Sequence, residues 1–382
     1  MKFKITISEI LFYLAYTMWI IANVLEFTYY RDLPFARDIF KVLIILSMII
    51  LFQKIIYDNK YSLKTLKWLL LFILILLISI RTNSNEILYI TIFIYSARNI
   101  EFKKIAKFTF YLQSILMIIV IGGALLGIIP NEMFIRSNGT IRYALGYTWC
   151  TFSSNFFFHI ILLYVFIKDK MDFKLINLAI ILIINRILFN LTDTKFVYYL
   201  IILLMITVYI NKYIKRDIKV NLINKLIYEY SFLISAVISI GLSILYNPNN
   251  NILNSLNNIL TDRLGLGHGA FLQYGIPLLG QKVIWITGTN RPSNSIYMYV
   301  DSSYLNIAIN YGLIILLLIC MGFTFILKGA MKNNKKTVLI VLLFFAIHNI
   351  TDPQLLDLRY QPFLLMFGIF FRDNKKVITI QK

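Results

Sequence analysis

NPNNNILNSLNNILTDRLGLGHGAFLQYGIPLLGQKVIWITGTNRPSNSIYMYVDSSYLNIAINYG, residues 247–312, is the long polar interruption in a chain otherwise built from lipid-like runs. Apolar stretches flank it on both sides, so it must sit at a membrane face as a folded cap or hairpin. Connections of this length are usually functional or disordered. Here apolar residues recur between the glycines, which argues for order. The spans are therefore expected to be arranged around residues 247–303, a large extracytoplasmic loop between a ninth and a tenth span.

The composition agrees with a membrane setting. The chain of 382 residues is 59% hydrophobic with a mean hydropathy of +0.74 and many runs of membrane-crossing length. The expectation is an all-α polytopic membrane protein, one integral membrane domain over residues 1–382. No cleavable signal peptide is expected, because the apolar stretch after Ser8 is long enough to span and has no small-residue cleavage site. Cys150 and Cys320 fall in predicted spans, which speaks against a disulfide framework or a thiolate metal site. A net charge of +20 would suggest nucleic acid in a soluble protein. In this chain a lysine excess on the cytoplasmic side and anionic headgroups account for most of it, and no nucleic-acid partner is expected.

About twelve transmembrane helices are expected, near residues 8–25, 36–56, 64–80, 86–97, 106–129, 146–167, 173–190, 195–211, 227–246, 304–327, 336–350 and 355–371, the fourth and eleventh short. Connections of one parity are lysine-rich: Lys54, Lys60, Lys64 and Lys67; Lys103, Lys104 and Lys107; Lys168, Lys170 and Lys174; Lys212, Lys215, Lys219 and Lys225; Lys332, Lys335 and Lys336. Lys2, Lys4, Arg372, Lys375, Lys376 and Lys382 share that parity, which puts both termini in the cytoplasm.

The opposite parity carries arginines instead: Arg31, Arg37, Arg81, Arg136, Arg142, Arg186, Arg263, Arg291 and Arg359, with Lys195 and Lys282 beside them. Guanidinium is the cation suited to two-pronged binding of phosphate or carboxylate. An external arginine face over an apolar bundle points to an anionic ligand that arrives with a lipid. Arg31, Arg37 and Arg81 are also placed to pair with Asp32, Asp38 or Glu86.

Candidate chemistry follows from these loops. In PNEMFIRSNGTIRYALG, residues 130–146, Arg136 and Arg142 have even spacing and would share one side of a ribbon, with Tyr143 close by. Span six buries Asn155 and His159, the latter read as a helix-to-helix hydrogen bonder. Asp193 is placed to pair with Lys195 or Arg186, while Lys195 could add a point charge for phosphate. The long loop supplies Arg263, His268, Tyr274, Gln281, Asp301 and Tyr304, and tyrosines such as Tyr297 and Tyr299 offer faces for sugar rings. After span eleven come His348, Asp352, Asp357 and Arg359. Histidine titrates near neutral pH, which makes His348 and His268 proton-transfer candidates. No metal-ligand spacing, Walker loop or dinucleotide fingerprint is present, so neither metal nor cofactor is expected.

Several of these pieces, in this order, carry a resemblance. They are Arg136 followed by Arg142-Tyr143-Ala144-Leu145-Gly146, then Thr192-Asp193-Thr194-Lys195, then Arg263 and Leu264-Gly265-Leu266-Gly267-His268. Tyr274-Gly275, Leu279-Gly280-Gln281, Val300-Asp301-Ser302-Ser303-Tyr304, Tyr311-Gly312 and His348-Asn349-Ile350-Thr351-Asp352 complete the set. Within a twelve-span frame the chain resembles the Wzy-type polysaccharide polymerases, related to O-antigen ligases. The resemblance departs at Lys195, where the family often has arginine; lysine keeps the charge and loses the fork.

The resemblance implies a C-type glycosyltransferase-like membrane fold with its active site outside the cytoplasmic membrane. The implied activity joins undecaprenyl-pyrophosphate-linked oligosaccharide repeats into capsular or exopolysaccharide without a metal. A flippase and a chain-length regulator are the implied partners. Arg136, Arg142 and Arg263 would stabilise the leaving diphosphate, and His348, His268 or Asp301 would handle the attacking hydroxyl's proton. Tyr143, Lys195, Asp193, Tyr274, Gln281, Tyr304, Asp352 and Arg359 would line the substrate. The alternatives are ligase-like transfer to another acceptor and a flippase or transporter for the same lipid. A transporter would show matching broken helices in two halves, and no such symmetry is visible.

Overall fold

Apolar runs without prolines become helices here because only helices satisfy every backbone polar group inside hydrocarbon. The computed structural model describes residues 6–58, 63–136, 139–168, 173–213, 220–287 and 297–372. Arg291 and the lysines Lys2, Lys4, Lys60, Lys170, Lys215, Lys219, Lys375, Lys376 and Lys382 lie outside the described residues.

The chain opens with α1 (Ile7–Leu25), started by a capping box between Thr6 and Glu9. It continues through α2 (Ala36–Asp58), α3 (Leu63–Thr82), α4 (Glu86–Ser96) and α5 (Phe102–Leu125). A hairpin of β1 (Met133–Ile135) and β2 (Ile141–Tyr143) follows, then α6 (Phe152–Ile167), α7 (Leu175–Thr192) and α8 (Lys195–Tyr213). The second half holds α9 (Leu222–Asn224), α10 (Ser231–Ile244), α11 (Asn251–Ile259), α12 (Arg263–Tyr274) and α13 (Ser303–Asn310). It ends with α14 (Leu313–Lys332), α15 (Lys336–His348) and a 3-10 helix, Phe363–Phe371.

Seven described helices, α1, α2, α3, α5, α7, α8 and α14, are long and apolar enough to cross a membrane, and up to eight if the bent pair Leu222–Glu229 and Ser231–Ile244 is one span. The protein is therefore all-α in its bulk and membrane-embedded. Four of the expected twelve spans are shorter, with 11 residues in α4, 16 in α6, 13 in α15 and 9 in the 3-10 helix. The physical reasons differ. Residues 145–151 form a turn before α6, so Cys150 precedes that helix instead of lying within it. Pro362 falls inside the expected last span, residues 355–371, and delays its helix to Phe363, since proline lacks the donor and restricts its predecessor. The ninth span bends by 70° where a π-turn over Lys225–Glu229 meets α10.

The tenth span is also split, into α13 and α14, at Tyr311 and Gly312. Gly312 has φ +90, and a Cβ there would lie 2.5 Å from both Gly280 N and Leu278 O. Only glycine allows this approach, which docks the returning arm of the long loop onto the α13–α14 corner. The loop itself is structured: α12 folds back on α10, α11 packs on α12, and Ile286 bridges Met298.

The bundle has two chemically distinct ends. At one, Tyr29 N–H donates to Gly146 O at 3.0 Å, Thr148 N–H to Phe27 O at 3.0 Å, Arg81 Nε to Gly280 O at 3.3 Å and Ser303 N–H to Asn349 O at 3.0 Å. These bonds knit the arginine-bearing connections into one cap. At the other, Lys104 pairs with Glu9 at 2.8 Å, and Lys54 reaches Asp58 and the Ser96 carbonyl, each at 2.6 Å. Lys54 is thus no loop lysine: it is fully buried near the end of α2, held by those two acceptors. In the interior, Phe232 stacks on Phe323 with ring centroids 4.0 Å apart, and Phe345 packs edge-on to both.

Candidate functional site: an arginine cluster in the cap

The hairpin carries the first two arginines. Its register pairs Phe134 with Arg142, and Arg136 N–H donates to Thr140 O at 3.0 Å. Partners in an antiparallel pair point to one face, so Arg136 and Arg142 share a side. The expected common side is found, through hairpin pairing across two strands and not along one ribbon. That side meets the C-terminus of α7. Arg142 Nε donates to Thr192 O at 2.6 Å, and Arg136 contacts Asp193 through both its carboxylate (3.1 Å) and its carbonyl (3.2 Å). A helix C-terminus is the negative end of its dipole, so it suits two cations.

Asp193 therefore pairs with Arg136, not with Lys195 or Arg186 as its neighbours in sequence suggest. It sits in the left-handed region (φ 47) at the end of α7, which turns its carboxylate toward the hairpin. Arg186 lies over the rings of Phe189 and Tyr198, at 5.7 and 6.0 Å. Lys195 is exposed and makes no ion pair among the described residues.

Arg263, the first residue of α12, comes in from the long loop. Its Nε lies 3.0 Å from Asp301 Oδ2, and its Nη1 donates to Thr261 Oγ1 at 2.9 Å. Burial pushes the Arg142 guanidinium down, and the positive charges of Arg136 and Arg263 act in the same direction against Asp193. The three guanidiniums thus share one field. Arginine stays charged regardless, so the shift records burial first and the neighbouring positive charges second. Burial also works against Arg263, but Asp301 and Asp352 outweigh it and hold its pKa above the ordinary value. Burial pushes the Asp301 carboxyl up to about 6 against the pull of Arg263. Asp352 is raised by burial too, while Arg263 and a hydrogen bond from Asn155 oppose the shift.

His348 closes this side. It is fully buried, its ring stacked on Phe158 with centroids 4.6 Å apart, and its Nε2 lies 3.6 Å from Asp352 Oδ2. Neither ring nitrogen has a hydrogen-bond partner among the described residues. His159 stands edge-on to it at 5.0 Å and bonds its own helix, Nδ1 to Asn155 O at 2.8 Å, instead of a neighbouring one. Asn155 donates to Asp352 Oδ1 at 3.1 Å.

Other candidates stand apart. His268 faces α10, with Nδ1 3.0 Å from Ser243 O. Tyr304 is fully buried and donates to Ala346 O at 2.9 Å. Gln281 spends its amide on Tyr274 O and Ile309 O, at 2.9 and 3.2 Å, and Tyr274 donates to Ile284 O at 3.3 Å. These four hold the loop together. Tyr143 is half-buried on β2, beside Arg142. Arg359 grips Asp357, with Nε at 2.7 Å from Oδ1, and lies 3.6 Å over the Phe27 ring. Of the early arginines, Arg31 and Arg37 pair with Asp32 at 3.7 and 2.9 Å, whereas Arg81 meets a carbonyl and not Glu86. Sequence reading missed Ser303, whose one hydroxyl proton faces two acceptors, Asp352 O at 2.6 Å and Asn349 Oδ1 at 2.8 Å, and so ties the Asp352 backbone to α13. Among the described residues no three His, Cys, Asp or Glu side chains gather as metal ligands.

The cluster can do two things: hold a multiply charged oxyanion on three guanidiniums, and offer Asp301 or Asp352 to a nearby hydroxyl. No family model matches the chain, and neither a curated protein nor a solved structure does.

Proposed function

We propose that the protein is an integral-membrane glycosyltransferase of the Wzy type, polymerising undecaprenyl-pyrophosphate-linked oligosaccharide repeats into capsular or exopolysaccharide. The observation that carries this is the placement of Arg136 and Arg142 on the C-terminus of α7 and of Arg263 on Asp301 in the same cap. The hydroxyl at the non-reducing end of a newly delivered repeat attacks the anomeric carbon of the growing chain. The anomeric C–O bond to the diphosphate breaks, undecaprenyl pyrophosphate leaves on the arginines, and the hydroxyl proton passes to a carboxylate or histidine.

Asp301, ionised above about pH 6, lies on the cluster and suits the base role. His348 is adjacent but buried behind Asp352; His268 is turned away. Fixed guanidiniums in a partly dry site are worth most where charge grows in the transition state. An apolar cavity of about 370 Å³ between α3, α4, α14 and the 3-10 helix, lined by Ile90, Ile319 and Phe367 among others, suits a prenyl tail.

The arginine cap is then the extracytoplasmic end and the lysine end the cytoplasmic one. On this reading the bent pair and the four short segments bring the count to twelve passes. Transfer to a different acceptor, as in a ligase, would use the same arginines. The test is polymer analysis in cells whose only copy is Arg136→Ala, Arg142→Ala or Arg263→Ala. Polymer should vanish while membrane protein level and single-repeat product persist; wild-type polymer from all three would refute the proposal.

A further inference from the structure

A second polar space lies in the cap beside the arginine cluster, with the opposite charge. It is a cavity of about 320 Å³ walled by the α3–α4 corner, the arm around residue 285, α13 and the segment after α15. Glu86, Trp285, Tyr299, Asn306, Asp357 and Arg359 line it. From these side chains we infer that the cavity is a saccharide-binding site for a neutral, hydroxyl-rich sugar.

Charge argues first. Glu86 and Asp357 face Arg359, and Arg359 is already gripped by Asp357 through both carboxylate oxygens. Two carboxylates, Glu86 and Asp357, thus share the one Arg359 guanidinium, and the net negative lining disfavours a phosphate. Glu86 accepts from the Tyr311 hydroxyl at 3.1 Å through Oε2, its other oxygen meets no donor among the described residues, and the residue is exposed. A carboxylate held this way is an acceptor waiting for hydroxyl donors.

Shape and the remaining chemistry agree. Asn310 donates to Asn306 Oδ1 at 2.7 Å and Asn306 to Val300 O at 3.0 Å, a chain that sets two amides at the wall. Trp285 and Tyr299 stand edge to face with centroids 5.6 Å apart, giving flat surfaces for the C–H faces of a pyranose ring. The volume is at the small end of ligand sites, about 300 Å³ upward, which limits occupancy to a short saccharide. Two walls reach the arginine cluster. Ser303 lines the cavity and bonds the Asp352 carbonyl, and Tyr299 precedes Asp301 by two residues. Leu356 borders both this cavity and the apolar one, so sugar and lipid spaces adjoin. The sugar's carrier rests on the polymerase reading above; the binding itself does not.

The test uses the full chain in lipid nanodiscs and saturation-transfer NMR with methyl glycosides of glucose, galactose, N-acetylglucosamine and N-acetylgalactosamine. At least one glycoside should receive saturation from wild type, and inorganic pyrophosphate should not displace it. Glu86→Gln, which keeps the side chain's shape, should weaken the signal by about tenfold, as loss of a charged hydrogen bond does. Trp285→Ala should do likewise. No transfer to any glycoside, full transfer in Glu86→Gln, or displacement by pyrophosphate would each overturn the inference. Because no turnover is read, glycoside binding without polymer would count against the reaction and not against the cavity.

Discussion

Among the described residues Arg142 donates to one carbonyl, Thr192 O at 2.6 Å, which leaves the rest of its fork for a ligand. Replacing it with alanine should lower the transfer rate by about 10²–10³, the usual loss for one oxyanion donor. Arg142→Lys should recover little, because lysine offers a point charge without the fork; a lysine variant at wild-type rate would contradict this. Asp301 gives a pH prediction. Its carboxyl is protonated below about 6, so activity should fall as pH drops through that value, and Asp301→Asn should lose that limb of the profile along with most of the rate. The stability sign is opposite. Folding takes up a proton between the ordinary 3.8 and about 6, so this group's contribution to stability declines as pH rises through that window, measurable by thermal unfolding of wild type and Asp301→Asn. The pairing of Asp193 was not legible in sequence, because its partner Arg136 lies 57 positions away while Arg186 and Lys195 compete nearby. Tyr304 misleads for a related reason: a tyrosine at a loop's end looks available to a sugar, but its hydroxyl is used by Ala346 O, 42 positions on.

Among elements, the hairpin was legible only in part: even spacing put Arg136 and Arg142 on one side of a ribbon, while the turn that folds that ribbon into two paired strands was not read. The corner between α13 and α14 was less so. Asn310, Tyr311 and Gly312 interrupt the apolar run there only briefly, and the approach of Gly280 explains why Gly312 must adopt φ +90. Gly312→Ala should therefore destabilise the cap by about 1–3 kcal/mol, the scale of one strained backbone position. Thermal unfolding in detergent and proteolysis of the long loop would register it; an unchanged midpoint would show that the loop does not dock there. The short last span was illegible for another reason. Hydropathy averages over Pro362, and the chain spends residues 349–361 building the cap before it turns inward. Glu86, Trp285 and Asp357 form one wall, yet nothing in sequence joins three segments so far apart.

Over the whole molecule, the division into an arginine end and a lysine end was visible in loop parity and reappears in the contacts that knit each end together. Parity is carried by many residues at once, so it survives misjudged boundaries in a way that single-residue assignments do not. It makes a topological prediction. Both native cysteines are buried, so introduced thiols can be read cleanly. Asn249→Cys, on the arginine side, should react with a membrane-impermeant maleimide in intact cells, and Asn333→Cys should react only after permeabilisation; the reverse pattern would invert the orientation. The central claim is that the arginine cluster holds a diphosphate while its sugar is transferred, and reconstitution tests it most directly. Purified wild-type protein supplied with undecaprenyl-pyrophosphate-linked repeats should yield a ladder of lengthening glycans and free undecaprenyl pyrophosphate, while the Arg136→Ala, Arg142→Ala and Arg263→Ala proteins should leave the single repeat unjoined. Ladders of equal length from the variants, or no elongation by the wild type, would contradict it.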